Sequence, residues 1–342
     1  MNNSRIEWTD ATWNPIRGCT RVSEGCRNCY AERMAHRFSG EGQPYEGLTQ
    51  LVNGRPAWTG KVTLVEEHLL DPLKWKPVKE MSVTNHAGVD VTKRRTRPRR
   101  VFVNSTGDLF HPQVPDDWIA KIAAVMVLAN QHSYQVLTKR PERMQPLLSS
   151  EGFWALVSAA VEELTEDRWI YETPLPNLHL GVSVEDQATA DERIPLLLQT
   201  PAAVRFVSAE PLLGAARFGG RDPEGVAARI DWVICGGESG THARPMHPDW
   251  VRGLRDQCTA AGAPFFFKQW GEWGEVERRN DLPGRPWMVR DNDLLLKVDG
   301  AVDLYEEVGG IGHATPMRRV GKKAAGALLD GREWREFPRL HE

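Results

Sequence analysis

VFVNSTGDLFHPQVPDDWIAKIAAVMVLANQHSYQVLTK, from Val101 to Lys139, reads as a strand, a helix and a second strand in one continuous stretch. Val101-Phe-Val-Asn104 is β-branched and aromatic. From Asp117 to Asn130 the apolar residues recur at helical spacing, and Tyr134-Gln-Val-Leu137 returns to strand composition. Two strands joined by a helix pair in parallel, through a crossover that packs the helix on the sheet.

Outward from this unit the theme repeats. Helices are expected near Pro141 to Leu148 and, after a Ser-Ser-Glu-Gly break, from Phe153 to Leu164. Strands follow at Leu178-His-Leu-Gly-Val-Ser183, Val204-Arg-Phe-Val-Ser208, Ile230-Asp-Trp-Val-Ile234 and Pro264-Phe-Phe-Phe267, separated by helices near Ala188 to Gln199 and Asp249 to Ala261. With the segment leading into Cys19 as a first strand, about seven strands suffice for a partial or complete parallel (β/α) barrel. The expected organisation is residues 1–38 as first strand, loop and first helix, 39–100 as an insertion, 101–270 as the rest of the barrel and 271–342 as a C-terminal cap.

The residues at the strand ends are polar. Asp108 lies beyond the second strand, Lys139 and Arg140 beyond the third, Glu185 beyond the fourth, Glu210 beyond the fifth, Glu238 beyond the sixth and Lys268 beyond the seventh. In a parallel barrel these ends share the face where active sites are built. A charged residue also simply marks a strand's exit into solvent, but repetition with both signs favours a polar pocket.

Cys19, Cys26 and Cys29 fall in the first such loop, spaced C-x6-C-x2-C. They offer three soft thiolates, one fewer than a closed zinc site or a fully protein-ligated iron–sulfur cluster takes. Arg17, Arg21 and Arg27 favour the thiolate form, and a helix from about Ala31 would turn its positive end toward the loop. Five cysteines in 342 residues, three of them clustered, argue against a disulfide framework. Cys235 reads as a buried strand residue.

A net charge of −3 and 41% hydrophobic residues fit an ordinary globular protein. No apolar run reaches the ~18 residues of a membrane span and no signal-peptide core is present, so the expectation is cytoplasmic, with no membrane partner. Most of the thirteen tryptophans are expected as anchors in the core and under long loops. Within the insertion, Lys61 to Leu64 reads as a strand and Glu66 to Trp75 as a helix. The basic run Lys93 to Arg100 can contact phosphates, yet in a slightly acidic chain a solvated loop is preferred. In the cap, Leu294 to Val302 suggests a hairpin and Lys322 to Leu329 a closing helix.

A three-cysteine loop after the first strand of a (β/α) barrel resembles the radical S-adenosylmethionine enzymes, although their usual first gap is three residues shorter. Ser105-Thr-Gly-Asp108-Leu-Phe-His-Pro112, Val136-Leu-Thr-Lys139 and Gly181-Val-Ser183 resemble motifs of the spore photoproduct lyase branch. With Trp8-Thr-x-x-Thr-Trp13-Asn-Pro and Gly236-Gly-Glu-Ser-Gly240, the chain looks like the phage and bacterial three-cysteine-motif proteins of unassigned function. The resemblance implies a radical-SAM-type barrel, a 4Fe–4S cluster on Cys19, Cys26 and Cys29, and S-adenosylmethionine as cofactor. With it, Ser105, Gly107, Asp108, Lys139, Ser183 and Glu185 are expected at the cofactor, and the remaining strand-end residues Arg140, Glu210, Glu238 and Lys268 toward substrate. It further implies an electron donor and a 5′-deoxyadenosyl radical, with a nucleic acid or nucleotide among the conceivable substrates.

Ser105 stands where spore lyases carry a hydrogen-donating cysteine, and its O–H bond is too strong for that task. Two other readings stay open. One is a zinc-stapled nucleic-acid-binding protein, with the cysteines joined by His36 or another ligand. The other is a barrel that keeps a cluster without radical chemistry.

Overall fold

The structure is a computed structural model that describes residues 4, 6–86, 89–167, 169–218, 229–276, 293–304 and 314–338. The chain is mixed α/β. It begins with β1 (Ala11–Trp13), β2 (Ile16–Arg17) and α1 (Tyr30–Arg37), then β3 (Thr49–Val52), β4 (Arg55–Trp58), β5 (Thr63–Leu64), β6 (Val78–His86) and β7 (Val89–Arg97). β8 (Arg99–Val103), α2 (Asp116–Leu128), β9 (His132–Thr138), α3 (Pro141–Leu148), α4 (Glu151–Thr165), β10 (Leu178–Ser183) and α5 (Gln187–Gln199) follow. Next come β11 (Val204–Ala209), β12 (Trp232–Gly236), α6 (Pro248–Ala261), β13 (Phe265–Gln269) and β14 (Trp273–Glu275). The described chain closes with β15 (Leu294–Leu296), β16 (Val302–Leu304), β17 (Thr315–Arg319), α7 (Lys322–Ala325), β18 (Leu328–Leu329) and β19 (Arg332–Glu333).

Seven strands form one parallel sheet in the order β1-β8-β9-β10-β11-β12-β13, which is chain order and is compatible with a partial (β/α) barrel. β10 and β12 are buried along their whole length, as strands covered on both faces must be.

Two compact units divide the chain, residues 1–20, 31–180 and 200–203 in the first and 21–30, 181–199 and 204–342 in the second. In the first, Ala11 to Trp13 pair with Val101 to Val103, and Arg99 to Val103 with His132 to Val136. Helix α2 packs on α4. Asp116 and Asp117 sit in the first turn of α2, where the helix dipole favours negative charge. Ser150 Oγ accepts from the Phe153 N–H to start α4.

In the second unit Phe206 to Ala209 pair with Trp232 to Cys235, and Val233 to Cys235 with Phe265 to Phe267, before a register shift at Cys235/Gly236. Gly237 follows this bulge, where a Cβ would lie 2.0 Å from the Trp270 carbonyl oxygen. Helix α6 starts at a His247 cap and ends at Gly262 in the left-handed region. The C-terminal part of the chain carries a four-stranded antiparallel sheet, β14-β17-β15-β16, and the expected hairpin is its β15–β16 pair.

Tryptophan anchoring is visible throughout. Trp13, Trp250, Trp270 and Trp273 are buried and donate their indole N–H to the carbonyls of His68, Val298, Leu328 and Ala243.

Three sequence expectations need correction. Glu66 to Trp75 is not one helix but two 3-10 turns, Glu66–His68 and Asp71–Lys74. Pro72 has no N–H to give the His68 carbonyl, which is bonded by Trp13 instead. The closing helix stops at Ala325, because Gly326 leaves the helical region with φ 69 and Leu328 enters the β18–β19 pair. The basic run is not a loop: Lys93 to Arg97 belong to β7, antiparallel to β6, and Arg99 and Arg100 open β8. Among the described residues no helix is long and apolar enough to cross a membrane.

Candidate functional site

Within the first unit the polar residues after β8 and β9 converge on Cys19. Gly18 has φ +93, and a Cβ there would lie 2.1 Å from the Lys61 carbonyl oxygen, so only glycine fits beside the cysteine. Gly107 forms a parallel bridge with Gly18. Arg140 Nη1 stands 3.8 Å from Cys19 Sγ and 3.1 Å from Asp108 Oδ2, while its Nη2 donates to Thr20 O at 3.0 Å and Thr20 Oγ1 at 2.7 Å.

Asp108 is an acceptor with its positions taken. Thr138 Oγ1 at 2.7 Å and Phe110 N at 3.0 Å reach Oδ1, and Lys139 N at 3.1 Å joins Arg140 on Oδ2. Four donors match what a carboxylate accepts, so its visible work is to hold Arg140 and the β9 terminus. Burial opposes the Arg140 charge, but Asp108 and Cys19 outweigh it and raise the Arg140 pKa. His111 Nε2 meets Thr20 Oγ1 at 3.0 Å, and burial, with Arg140 nearby, lowers its pKa. Ser105 Oγ donates to Asn14 Oδ1 at 3.1 Å, and Lys139 is half-buried.

In the second unit two buried acids fasten the loop that carries Cys26 and Cys29. Glu185, 1% exposed, pairs with Arg193 at 3.0 Å and accepts from Ser23 Oγ at 3.0 Å. Arg193 Nη1 also donates to the Ser183 carbonyl at 2.8 Å, tying the end of β10 to α5. Glu238 accepts from Asn28 Nδ2 at 2.9 Å and from Arg244 N, Nε and Nη2 at 2.8, 3.0 and 2.7 Å. Arg244 Nη2 continues to the Glu24 carbonyl at 2.9 Å. Burial would raise the Glu238 carboxyl, but the Arg244 and Asn28 hydrogen bonds prevail and lower it. Further along, Lys268 Nζ grips both oxygens of Glu210 at 2.7 and 3.0 Å. Cys235 is fully buried, and burial, with Glu210 and Cys258 nearby, pushes its thiol up.

None of the five cysteines is in a disulfide, and Cys19, Cys26 and Cys29 are each half-buried. Among the described residues no three His, Cys, Asp or Glu side chains are gathered closely enough to hold a metal. His36 Nδ1 is engaged by Thr49 Oγ1 at 3.1 Å.

Lys139, Arg140, Glu185, Glu210 and Glu238 lie just beyond their strands, while Asp108 stands five residues past β8 and Lys268 lies within β13, which runs on to Gln269; Glu185 and Glu238 are occupied by the cysteine loop. The sequence reading missed Thr20, Gly25, Asn28, Thr138, Arg193 and Arg244. Asn28, inside the C-x2-C spacing, carried a positional signal. Arg193 carried none, since a helical arginine reads as exposed until its acid partner is known.

Taken together, fold and site define a mixed α/β protein with a chain-ordered parallel sheet and an arginine-supported cysteine loop. The chain belongs to the family described as "Protein of unknown function (DUF5131)", which matches residues 3–338. No curated protein and no solved structure matches it.

Proposed function

We propose that this chain is an iron–sulfur enzyme of the radical S-adenosylmethionine type, its cluster held by Cys19, Cys26 and Cys29. The observation that carries the reading is the buried Arg140 guanidinium bonded to Cys19, at the end of a strand in a chain-ordered parallel sheet. A guanidinium there favours the thiolate that a soft metal requires. The donor set fits in kind: three thiols outside any disulfide, offered by eleven consecutive residues. Ser23, Gly25 and Asn28 hold that loop through Glu185 and Glu238, which restricts the thiols without using them.

Three thiolates would leave one cluster iron open to the amino and carboxylate groups of S-adenosylmethionine, whose reductive cleavage supplies a carbon radical. Lys139 would pair with the cofactor carboxylate, with Ser105, Gly107 and Ser183 beside it. Asp108 and Glu185 act by positioning Arg140 and the cysteine loop. Arg140 serves the thiolate rather than substrate. Glu210 and Lys268 neutralise one another in the second unit and are the remaining polar pair for a substrate; Glu238 is the loop's anchor.

Anaerobic reconstitution tests the proposal. It expects about four irons per chain, lost in Cys26→Ala, and 5′-deoxyadenosine on reduction with S-adenosylmethionine. Stoichiometric zinc without iron uptake, or a full cluster that neither binds nor cleaves S-adenosylmethionine, would overturn it.

A further inference from the structure

We propose that the β6–β7 ribbon is a DNA-binding arm that lays its basic strand along the phosphates of a duplex. The two strands are nine residues each and form a sheet of their own, in register from Val78↔Arg97 to His86↔Val89. At ~3.3 Å per residue the ribbon runs about 30 Å, close to one turn of duplex DNA.

Its base is fastened by charge. Arg97 Nη1 and Nη2 reach Asp10 at 2.6 and 2.9 Å, and Arg97 Nε bonds Glu80. The Arg100 N–H adds a bond to Asp10 at 2.8 Å, and Arg99 Nε caps the Lys76 carbonyl at 3.1 Å. These contacts hold the Asp10 carboxyl well below the usual carboxylate range, burial notwithstanding. An isolated two-stranded ribbon is marginal in water, so a fixed base is what lets it project.

Beyond that base Lys79, Arg94 and Arg95 are exposed, with Met81 65% exposed between them. Register pairs Arg94 with Met81 and Arg95 with Glu80, so the two arginines fall on opposite faces. From Lys76 to Arg100 eight Lys and Arg stand against two acids, in a chain whose net charge is −3. The rest of the chain repels a polyanion, which confines contact to the arm.

The shape selects the partner. The major groove of B-DNA, ~12 Å wide, admits a two-stranded ribbon, whereas that of duplex RNA is too deep and narrow to enter. Single strands are gripped by base stacking, and Val78 to Arg97 includes no Phe, Trp or Tyr.

Anisotropy of a fluorescein-labelled 25-base-pair DNA duplex, titrated with the full chain from 50 to 200 mM salt, tests this. Wild type is expected to bind duplex DNA more tightly than single-stranded DNA or duplex RNA of the same sequence. Lys79→Ala/Arg94→Ala/Arg95→Ala should bind about tenfold or more weakly, with a log–log salt slope shallower by about three. Arg94→Lys/Arg95→Lys should retain most binding, since phosphate contact needs only charge. Circular dichroism checks that the variants keep the wild-type fold. No duplex binding at 50 mM salt, a triple variant with wild-type affinity and slope, or tighter binding to single strands would each overturn the proposal. The Cys26→Ala chain should bind as wild type does, so loss of the iron–sulfur reading leaves this result standing.

Discussion

Gly25 and Glu185 fit one another so closely that a Cβ on Gly25 would lie 2.4 Å from Glu185 Oε1. The acid cannot retreat, because Arg193 holds it at 3.0 Å inside the second unit. The cysteine loop therefore rests on a carboxylate through its one residue without a side chain.

Gly25→Ala should displace the loop while leaving the sheet intact. Overpacking of this kind costs ~1–3 kcal/mol, and a lowered melting temperature with faster chelator extraction of iron from reconstituted protein is the expected pair of results. An unchanged melting curve would show that Glu185 yields.

Asp108 and Arg140 form a buried ion pair at 3.1 Å, each side chain under a tenth exposed. Removing one partner leaves an uncompensated buried charge, so Asp108→Asn should destabilise by ~3–5 kcal/mol in urea unfolding. Adding Arg140→Met to that variant should cost less than it does in wild type, because the stranded charge is then gone. A strictly additive cycle would mean that the two residues are not coupled.

Arg140 also bears on reactivity. Arg140→Met should slow iodoacetamide labelling of Cys19 at pH 7 in the metal-free protein, while Cys26 in the same molecules keeps its rate and serves as internal reference. Peptide mass spectrometry reads both, and equal slowing would point to a general change of the loop.

The sequence made the sheet legible because its strands are short hydrophobic runs bounded by polar residues, and β10 occupies Leu178 to Ser183 as expected. It was less informative where a distant partner decides. Glu66 to Trp75 has helical composition, yet Pro72 and the indole of Trp13 take its carbonyl bonding elsewhere. Glu185 and Glu238 were recognisable as strand-end acids, but their occupation by the cysteine loop depends on the pairing of Arg193 and Arg244 with them, which only tertiary packing determines. The basic run reads as a solvated loop because the chain as a whole is slightly acidic; pairing with Val78 to His86, which lies outside the local pattern, is what makes it a strand.

His179 supplies the clearest pH signature. It lies in β10, 3% exposed, with neither ring nitrogen hydrogen-bonded among the described residues. Burial alone lowers its pKa from 6.5 to about 4. A histidine depressed in the fold binds its proton more readily when unfolded, so its stabilising contribution is complete above pH 6.5 and is lost as pH falls toward 4. At pH 5 the loss is about 2 kcal/mol, and it approaches ~3 kcal/mol at pH 4. His111, His132 and His247 are lowered too and slope the same way, so a residue of the effect should survive any single replacement. The lowered carboxylates, Asp10 and Glu238, keep their contributions between pH 7 and 5 and begin to lose them only as pH falls through ordinary carboxylate values. His179→Leu should leave stability at pH 7 equal or higher, because two unsatisfied nitrogens are replaced by apolar atoms. Urea unfolding at pH 7, 6 and 5 should then show the variant losing about 2 kcal/mol less than wild type across the range. Parallel slopes for the two proteins would mean that His179 already carries its proton, or finds water, inside the fold.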